Sequence, residues 1–389
     1  LKLFMDLSMA LFCILTLDLT IILFRITNQY SISSKDMKMS KLLLFSDIHL
    51  HPHKRSSQRL EDCLKALEWV FQTAIDRKIK NILFGGDLFH DRQKIEIYTY
   101  QRVFESFLNF SKKNASQIYL LLGNHDLWFN DKTSISSVVP LSALPNVHVI
   151  AEPSRIEIDG HNWDFIPYTH NPIETLDVFK KLHSMTEYAL GHIALDGAIL
   201  HGSQHSDVAV EHDGDMVSIS ASLFDSYKHT FLGHYHAEQR VNKKVEYIGS
   251  PLQLSFGEAF QKKHIIVFDQ DKNVREYIEN EFSPKHLVIK YEDKEKYQLE
   301  GNYVQIKVDD IGATDLINLR KELSNNNSLA SLEIRQQKKT ISEHIIHDAK
   351  AILYKGNEML AKYADQVGHE GLDREKLLAI GEKICKKPE

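Results

Sequence analysis

Five short motifs in this chain each close an apolar run and each supply oxygen or nitrogen donors. They are Ser46-Asp47-Ile48-His49, Gly85-Gly86-Asp87, Gly123-Asn124-His125-Asp126, His201-Gly202 and Gly233-His234-Tyr235-His236. Mixed carboxylate, imidazole and amide ligands favour Mn, Fe or Zn over Ca or Mg, and no thiolate takes part. Two such ions roughly 3.5–4 Å apart clamp a phosphate and lower the pKa of a bridging water, so that it attacks as hydroxide. A carboxylate must bridge the pair, and Asp87 is the natural candidate. The spacings Asp47-x-His49 and His234-x-His236 let an extended or tightly turned backbone present both side chains to one small volume. Each motif alone is ordinary; their shared position at strand ends points to one metal centre.

The elements that must position these residues are legible as apolar runs. Lys41–Phe45, Asn81–Phe84 and residues 118–122 are continuously apolar, the pattern of strands covered on both faces in a layered α/β fold. Between them Leu60, Leu64, Leu67, Phe71 and Ile75 recur at helical spacing after Ser56-Ser57, and a second helix is expected over residues 97–110. Ligands in such folds gather at the carboxyl ends of strands, where Asp47, His49, Asp87, Asn124 and His125 all fall. Further strands are expected at Val147–Ile150 and at residues 163–166, 198–200, 230–232, 245–248 and 264–268. These have an antiparallel, hairpin-linked pattern, with a clear Asp159-Gly160 turn. His201 follows the 198–200 run, and His234 with His236 follows 230–232. His192 has similar apolar neighbours, but His201 closes the cleaner run and precedes Gly202, so His201 is the expected ligand.

A chain of 389 residues suggests a main domain with additions. Residues 41–280 form the expected main domain, 281–338 a small α/β cap, and 339–389 a helical tail. Residues 1–40 are an apolar extension. Its stretch 3–26 is long enough to span a bilayer, but Asp6 and Asp18 inside it are costly there. The chain starts with Leu1, while Met37 and Met39 lie just before the first strand. Upstream sequence outside the working protein is therefore the expected reading, with an N-terminal anchor or a cleaved signal as alternatives. Hydrophobic content of 43% and charged content of 26% describe an ordinary globular protein. A formal charge of -6 does not mark a general nucleic-acid binder, though it leaves room for a local basic groove. Cys13, Cys63 and Cys385 are far apart and match no zinc or disulfide spacing, which favours a reducing, cytoplasmic setting.

The order and spacing of the five motifs across residues 41–260 resemble the calcineurin-like metallophosphoesterases. Within that superfamily, Gly86-Asp87-Leu88-Phe89-His90 and the stretch 247–258 (YIGSPLQLSFGE) resemble the SbcD-type DNA-repair nucleases. The compact cap and short tail look most like the bacteriophage recombination nuclease subunits of this group. The resemblance implies a layered metallophosphoesterase fold, two mixed β-sheets sandwiched by helices, with the cap and tail added. It implies one ion on Asp47, His49, Asp87 and His236 and a second on Asp87, Asn124, His201 and His234, with Mn2+ as the expected metal. His125 would protonate the leaving oxygen and His90 would position the phosphate. Arg92 is a further substrate contact proposed on charge alone.

The function so implied is a two-metal DNA nuclease, a duplex-end exonuclease and single-strand endonuclease. It would be a homodimer, partnered by an SbcC-like coiled-coil ABC ATPase, with no membrane role for its working domain. A phosphatase or cyclic-nucleotide phosphodiesterase uses the same centre and remains the alternative. His90, the 247–258 stretch and the second small domain favour the nuclease. A binding subunit without activity is disfavoured because every ligand position is filled. In the tail, Ile345, Ala349, Ile352, Gly356, Leu360 and Tyr363 share one stripe, which either packs on the main domain or docks a partner helix. His51, His53, His205 and His212 sit in polar loops and are expected to be solvated, while His170 either lines the groove or packs.

Overall fold

Alternation within single strands decides the layering. Leu42 and Leu44 face one apolar cluster while Leu43 and Phe45 face another, so this strand must lie inside the stack. The computed structural model describes residues 40–337, apart from 53–55, 130–131, 171, 183–185, 202–203, 206–208, 213–214, 310 and 327. The expected extension over 1–39 and the tail over 339–389 lie outside the described residues.

The chain opens with β1 (Lys41–Phe45), α1 (Ser57–Asp76), β2 (Asn81–Phe84), α2 (Ile97–Lys113), β3 (Gln117–Leu121) and β4 (Val147–Ile150). It continues through β5 (Ser154–Ile158), β6 (His161–Ile166), α3 (Pro172–Leu182), β7 (Tyr188–His192), β8 (Ile199–His201), β9 (Gln204–His205), β10 (Ala209–His212) and β11 (Asp215–Ser218). Next come β12 (His229–Gly233), β13 (Gln239–Arg240), β14 (Val245–Tyr247), β15 (His264–Asp269) and β16 (Val274–Glu279). The last described elements are β17 (His286–Lys290), β18 (Tyr303–Asp309), α4 (Ala313–Asn326) and β19 (Ser331–Gln337).

One six-stranded sheet has the order β16-β15-β1-β2-β3-β4 and the other β13-β14-β12-β7-β6-β5. In the first, β1 to β4 run parallel, while β15 joins β1 antiparallel with Leu42 opposite Phe268. The second sheet corrects the sequence reading: β6, β7, β12 and β14 are mutually parallel, and β5–β6 and β13–β14 are its antiparallel pairs. The crossover from β6 to β7 is made by α3, which no sequence pattern had marked. The β5–β6 turn falls at Asp159-Gly160, both with positive φ (52° and 90°), the backbone that tight hairpins require.

Between the sheets lies a core containing Trp163, Phe165, Tyr188, Phe231 and Phe268. The outer face of the first sheet packs on α1 and α2 through Leu60, Leu64, Leu67, Phe71, Val103 and Phe107. Ile75, expected on the same stripe, is 40% exposed. The outer face of the second sheet, through Ala189, Leu232 and Tyr247, packs with Val178 of α3 and with Phe224. The result is the expected sandwich of helix, sheet, sheet and helix. The chain divides into two compact units, one holding the described residues 40–306 and 322–333, the other 307–321 and 334–337. Residues 281–306 of the expected cap thus lie in the first unit, where the Tyr303 hydroxyl donates to Asp62 of α1 at 2.6 Å. No described helix is long and apolar enough to cross a membrane.

Trp163 anchors the intersheet core. It is fully buried, and its indole N–H donates to Gln270 Oε1 at 2.6 Å. Trp163→Ala should cost about 3–5 kcal/mol, as large-to-small changes in packed cores do. Trp163→Phe should cost less, roughly 1–3 kcal/mol, mostly for the acceptor left without its donor. Urea denaturation of both variants checks the order; a Trp163→Phe loss near zero would show that the hydrogen bond contributes nothing.

Candidate metal centre

The parallel strands β1, β2 and β3 end on one edge of their sheet, and the parallel strands β7 and β12 end on one edge of theirs. Asp47 and His49 follow β1, Asp87 follows β2, Asn124 follows β3, His192 ends β7 and His234 follows β12. The backbone turns abruptly as each loop leaves its strand. Asp47, His49, Asp87 and His234 have φ of 53°, 47°, 62° and 101°, a region costly for side-chain-bearing residues and found where a site dictates geometry. Gly86 has φ 103°, and a Cβ there would meet the Gly123 backbone at 2.9 Å. No larger residue fits between the second and third motifs.

Asp87 is the geometric centre. Its Oδ2 lies 3.5 Å from His49 Nε2 and 3.5 Å from His192 Nε2, while its Oδ1 accepts the His125 backbone N–H at 2.7 Å. On one side Asp47, His49 and His236 bring donor atoms together. On the other, Asn124 Oδ1 lies 3.0 Å from His192 Nε2 and 3.0 Å from His234 Nδ1. Asp47 also receives the His234 backbone N–H on both carboxylate oxygens, at 3.0 and 3.1 Å, tying the first motif to the fifth.

His192, which is not among the expected ligands, stands with the donor groups. The sequence reading chose His201, which ends β8, a strand paired with β9 in a two-stranded sheet of its own; its side chain lies outside the described residues. His192 is fully buried among Asp47, Asp87, Asn124 and His234, and its Nδ1 donates to the Gly85 carbonyl at 2.7 Å. That bond fixes the tautomer and leaves Nε2 aimed at Asp87 and Asn124, as the outer hydrogen bond of a ligating histidine does.

The donor set fits divalent cations. Both ring nitrogens of His49 are buried with no hydrogen-bond partner, a costly state that a cation relieves. Burial pushes the Asp47 carboxyl above its usual range, opposed by His192. Burial likewise pushes His234 down to about 3 and His49 well below its ordinary value, so both imidazoles are neutral and ready to coordinate. Burial also lowers His192, but the Asp87 charge outweighs it and holds this ring up to about 9.

Two further groups support the ligands, and neither had been given a role from sequence. Asp126, fully buried, accepts backbone N–H groups from Asp87 (2.9 Å), Gly123 (3.0 Å) and Leu88 (3.0 Å), locking the second motif to the third. Burial, then the charge of Asp87, pushes its carboxyl up to about 7. Glu258, inside the stretch singled out above, accepts from His236 Nδ1 at 3.0 Å and pairs with buried Lys263 at 2.7 Å. Burial would raise the Glu258 carboxyl, but the His236 hydrogen bond and the Lys263 charge hold it well below the carboxylate range.

The remaining candidates line the solvent side. The half-buried His125 donates from Nδ1 to the His90 carbonyl at 2.5 Å, and its ring stacks on His90 with centroids 5.6 Å apart. His90 is exposed, and His51 stacks on it at 4.1 Å with its own Nδ1 donating to the His49 carbonyl at 2.8 Å. His51, expected to be a solvated loop residue, thus buttresses the site. Arg92 sits at the rim, near enough for its charge to oppose the burial that raises the Tyr168 hydroxyl. His170 lies in a polar loop whose backbone N–H donates to Glu174 at 3.0 Å.

Strand-end carboxylates, imidazoles and an amide around one shared aspartate define a phosphoester-cleaving metal centre. The pattern of the calcineurin-like phosphoesterases matches residues 40–238, and the chain belongs to that family. It is 26% identical over 198 residues to exonuclease subunit 1 of Enterobacteria phage T4, covering 50% of this chain and 54% of that protein. It is 24% identical over 273 residues to the SbcD subunit of the SbcCD nuclease of Escherichia coli K12, covering 60% and 66%. Against the SbcD subunit of the Bacillus subtilis SbcCD nuclease it is 22% identical over 262 residues, covering 59% and 66%. The matched regions thus span from about half to just under two thirds of these relatives' lengths.

Glu258→Gln removes the charge that orients His236, so Mn2+ affinity should fall by about 10–100-fold, the usual effect of losing such a partner; calorimetric titration checks it, and unchanged affinity would deny the role. The raised pKa values of His192 and His236 set the sign of a second expectation. Both rings must lose their protons to coordinate. Mn2+ uptake near neutral pH should therefore release protons, and affinity should climb with pH until His192 titrates near 9. Titrations in buffers of different ionisation enthalpy would reveal this release, and identical heats would contradict it.

Proposed function

We propose that this chain is a metal-dependent DNA nuclease, the nuclease subunit of an SbcCD-like recombination or repair complex. One divalent ion, with Mn2+ the expected metal, would be held by Asp47, His49, Asp87 and His236, and a second by Asp87, Asn124, His192 and His234, with His192 in the place first given to His201. The metal centre rests on the single carboxylate oxygen of Asp87 lying 3.5 Å from one imidazole of each donor group, and the choice of DNA as substrate is supported by the likeness to the phage T4 exonuclease subunit and the SbcD subunits. When bound, the two cations supply Lewis acidity at the phosphate and acidify the attacking water. His125, fixed through Nδ1 on the His90 carbonyl, presents Nε2 to the leaving sugar oxygen and delivers the proton there. His90, steadied by His51, and Arg92 at the rim hold the phosphate. Asp126 and Glu258 keep the donors in register before substrate arrives, so little reorganisation remains for the chemical step.

The same reading assigns a homodimer working in the cytoplasm. It also assigns docking on a coiled-coil ABC ATPase to residues 339–389, following the relatives' designation as subunits.

A nuclease assay on linear duplex and circular single-stranded DNA with Mn2+ tests the proposal. Asp87→Ala and His125→Ala should each lower cleavage by at least about 100-fold, the scale of a lost general acid or a lost metal. If His192 holds the place first given to His201, His192→Ala should match Asp87→Ala, whereas His201→Ala should stay within about twofold of wild type. Turnover of a phosphomonoester with neither DNA cut would replace the nuclease by a phosphatase. Undiminished capture of the ATPase after deleting residues 340–389 would remove the docking role.

A further inference from the structure

An open groove of about 850 Å³ starts beside the metal donors at Tyr168, a size that suits a small organic group. Tyr168 belongs to both places. Its ring stacks beside His234 with centroids 6.4 Å apart and 21° between planes, and meets His192 edge-on at 6.3 Å. Its backbone N–H donates to the Leu122 carbonyl at 3.0 Å, immediately before the Gly123-Asn124 turn. The ring is thus positioned by the same segment that positions the second group of donors.

Away from the donors, Leu127, Pro153, Pro167 and Val178 give the groove an apolar wall. Its rim carries Glu152, Glu174 and Asp177 against Lys132 and His170, with Glu152 also accepting from the Thr133 hydroxyl and Glu174 from the His170 backbone N–H. Among the described residues this excess of carboxylate repels a phosphodiester backbone and favours a neutral, flat group whose edge bears N–H donors. A nucleobase has that combination: a face to stack on an aromatic ring and amino or imino hydrogens for carboxylate acceptors. Within a duplex its faces are stacked and its pairing edge is occupied.

We propose that this groove takes an unpaired nucleobase of the nucleotide next to the scissile phosphate, stacked on Tyr168. The inference rests on the nuclease reading and narrows it to single-stranded or frayed nucleic acid. Stacking on Tyr168 sets the register of the chain, because the same ring abuts His192 and His234. The phosphate attached to the seated base then falls on the donor cluster.

The test is fluorescence anisotropy of the full chain, in chelator so that nothing is cut, with a labelled oligothymidylate and a matching oligomer of abasic sugar phosphates. Wild type should bind oligothymidylate on the order of tenfold more tightly, the scale of one base stacked on an aromatic ring. Tyr168→Ala should abolish that preference, and Tyr168→Phe, which keeps the ring, should retain it. Equal binding of the two oligomers by wild type overturns the inference. So does a preference that survives in Tyr168→Ala, or a loss in that variant equal for both oligomers. If wild type binds neither oligomer and cuts no DNA, yet hydrolyses bis(p-nitrophenyl) phosphate with Mn2+, the nuclease reading fails and takes this inference with it.

Discussion

Burying three carboxylates under one sheet edge is the constraint on which the rest of this molecule depends. Asp47, Asp87 and Asp126 are all at most 2% exposed, and charges of one sign so placed are tolerated only with compensation. Backbone N–H groups supply part of it: four donate to Asp126 and others to Asp47 and Asp87. The imidazoles supply the rest, and the centre is left poised for cations. The hydrogen bonds that make the carboxylates tolerable are the same ones that join one motif to the next.

That economy has a conformational side. Four donor residues sit in left-handed backbone, each costing of order 1–3 kcal/mol. What holds them is the pairing just outside the strands: Asp47 N–H donates to the Gly86 carbonyl at 2.9 Å and His49 N–H to the Asp87 carbonyl at 3.2 Å. The β1–β2 ladder continues as loop-to-loop bonding, with Leu50 bridging to Phe89. The donors are therefore carried on a stiffened rim rather than on free loops, as preorganised chemistry requires.

Much of this was legible because burial on both faces leaves an unbroken apolar run. The edges of β1, β2 and β4 follow the sequence without adjustment, and Asp47, His49, Asp87, Asn124, His125, His234 and His236 converge where strand ends converge. His192 ranked below His201 for a specific reason. The run Tyr188-Ala189-Leu190-Gly191-His192 continues into Ile193-Ala194-Leu195, so this histidine sits inside an apolar stretch instead of closing one. The parallel second sheet was missed through α3, whose start beside Pro172 masked the crossover. Glu258 and Lys263 act through a long-range ion pair to His236, which no local periodicity encodes.

The antiparallel pairing of β1 with β15 sets the order in which the protein can be completed. Leu42 lies opposite Phe268, so the earliest described strand finds one of its two partners only after more than two hundred further residues have been made. Until then one edge of β1 is unpaired, although β2 to β4 can already stack beside it. An open strand edge next to Leu42 and Leu44 is a template for wrong association, and closing so distant a contact is slow. On a ribosome, the motif loops of the nascent chain are thus all synthesised before the strand that seals their sheet. The interval before β15 emerges is when this protein most needs shielding from its neighbours.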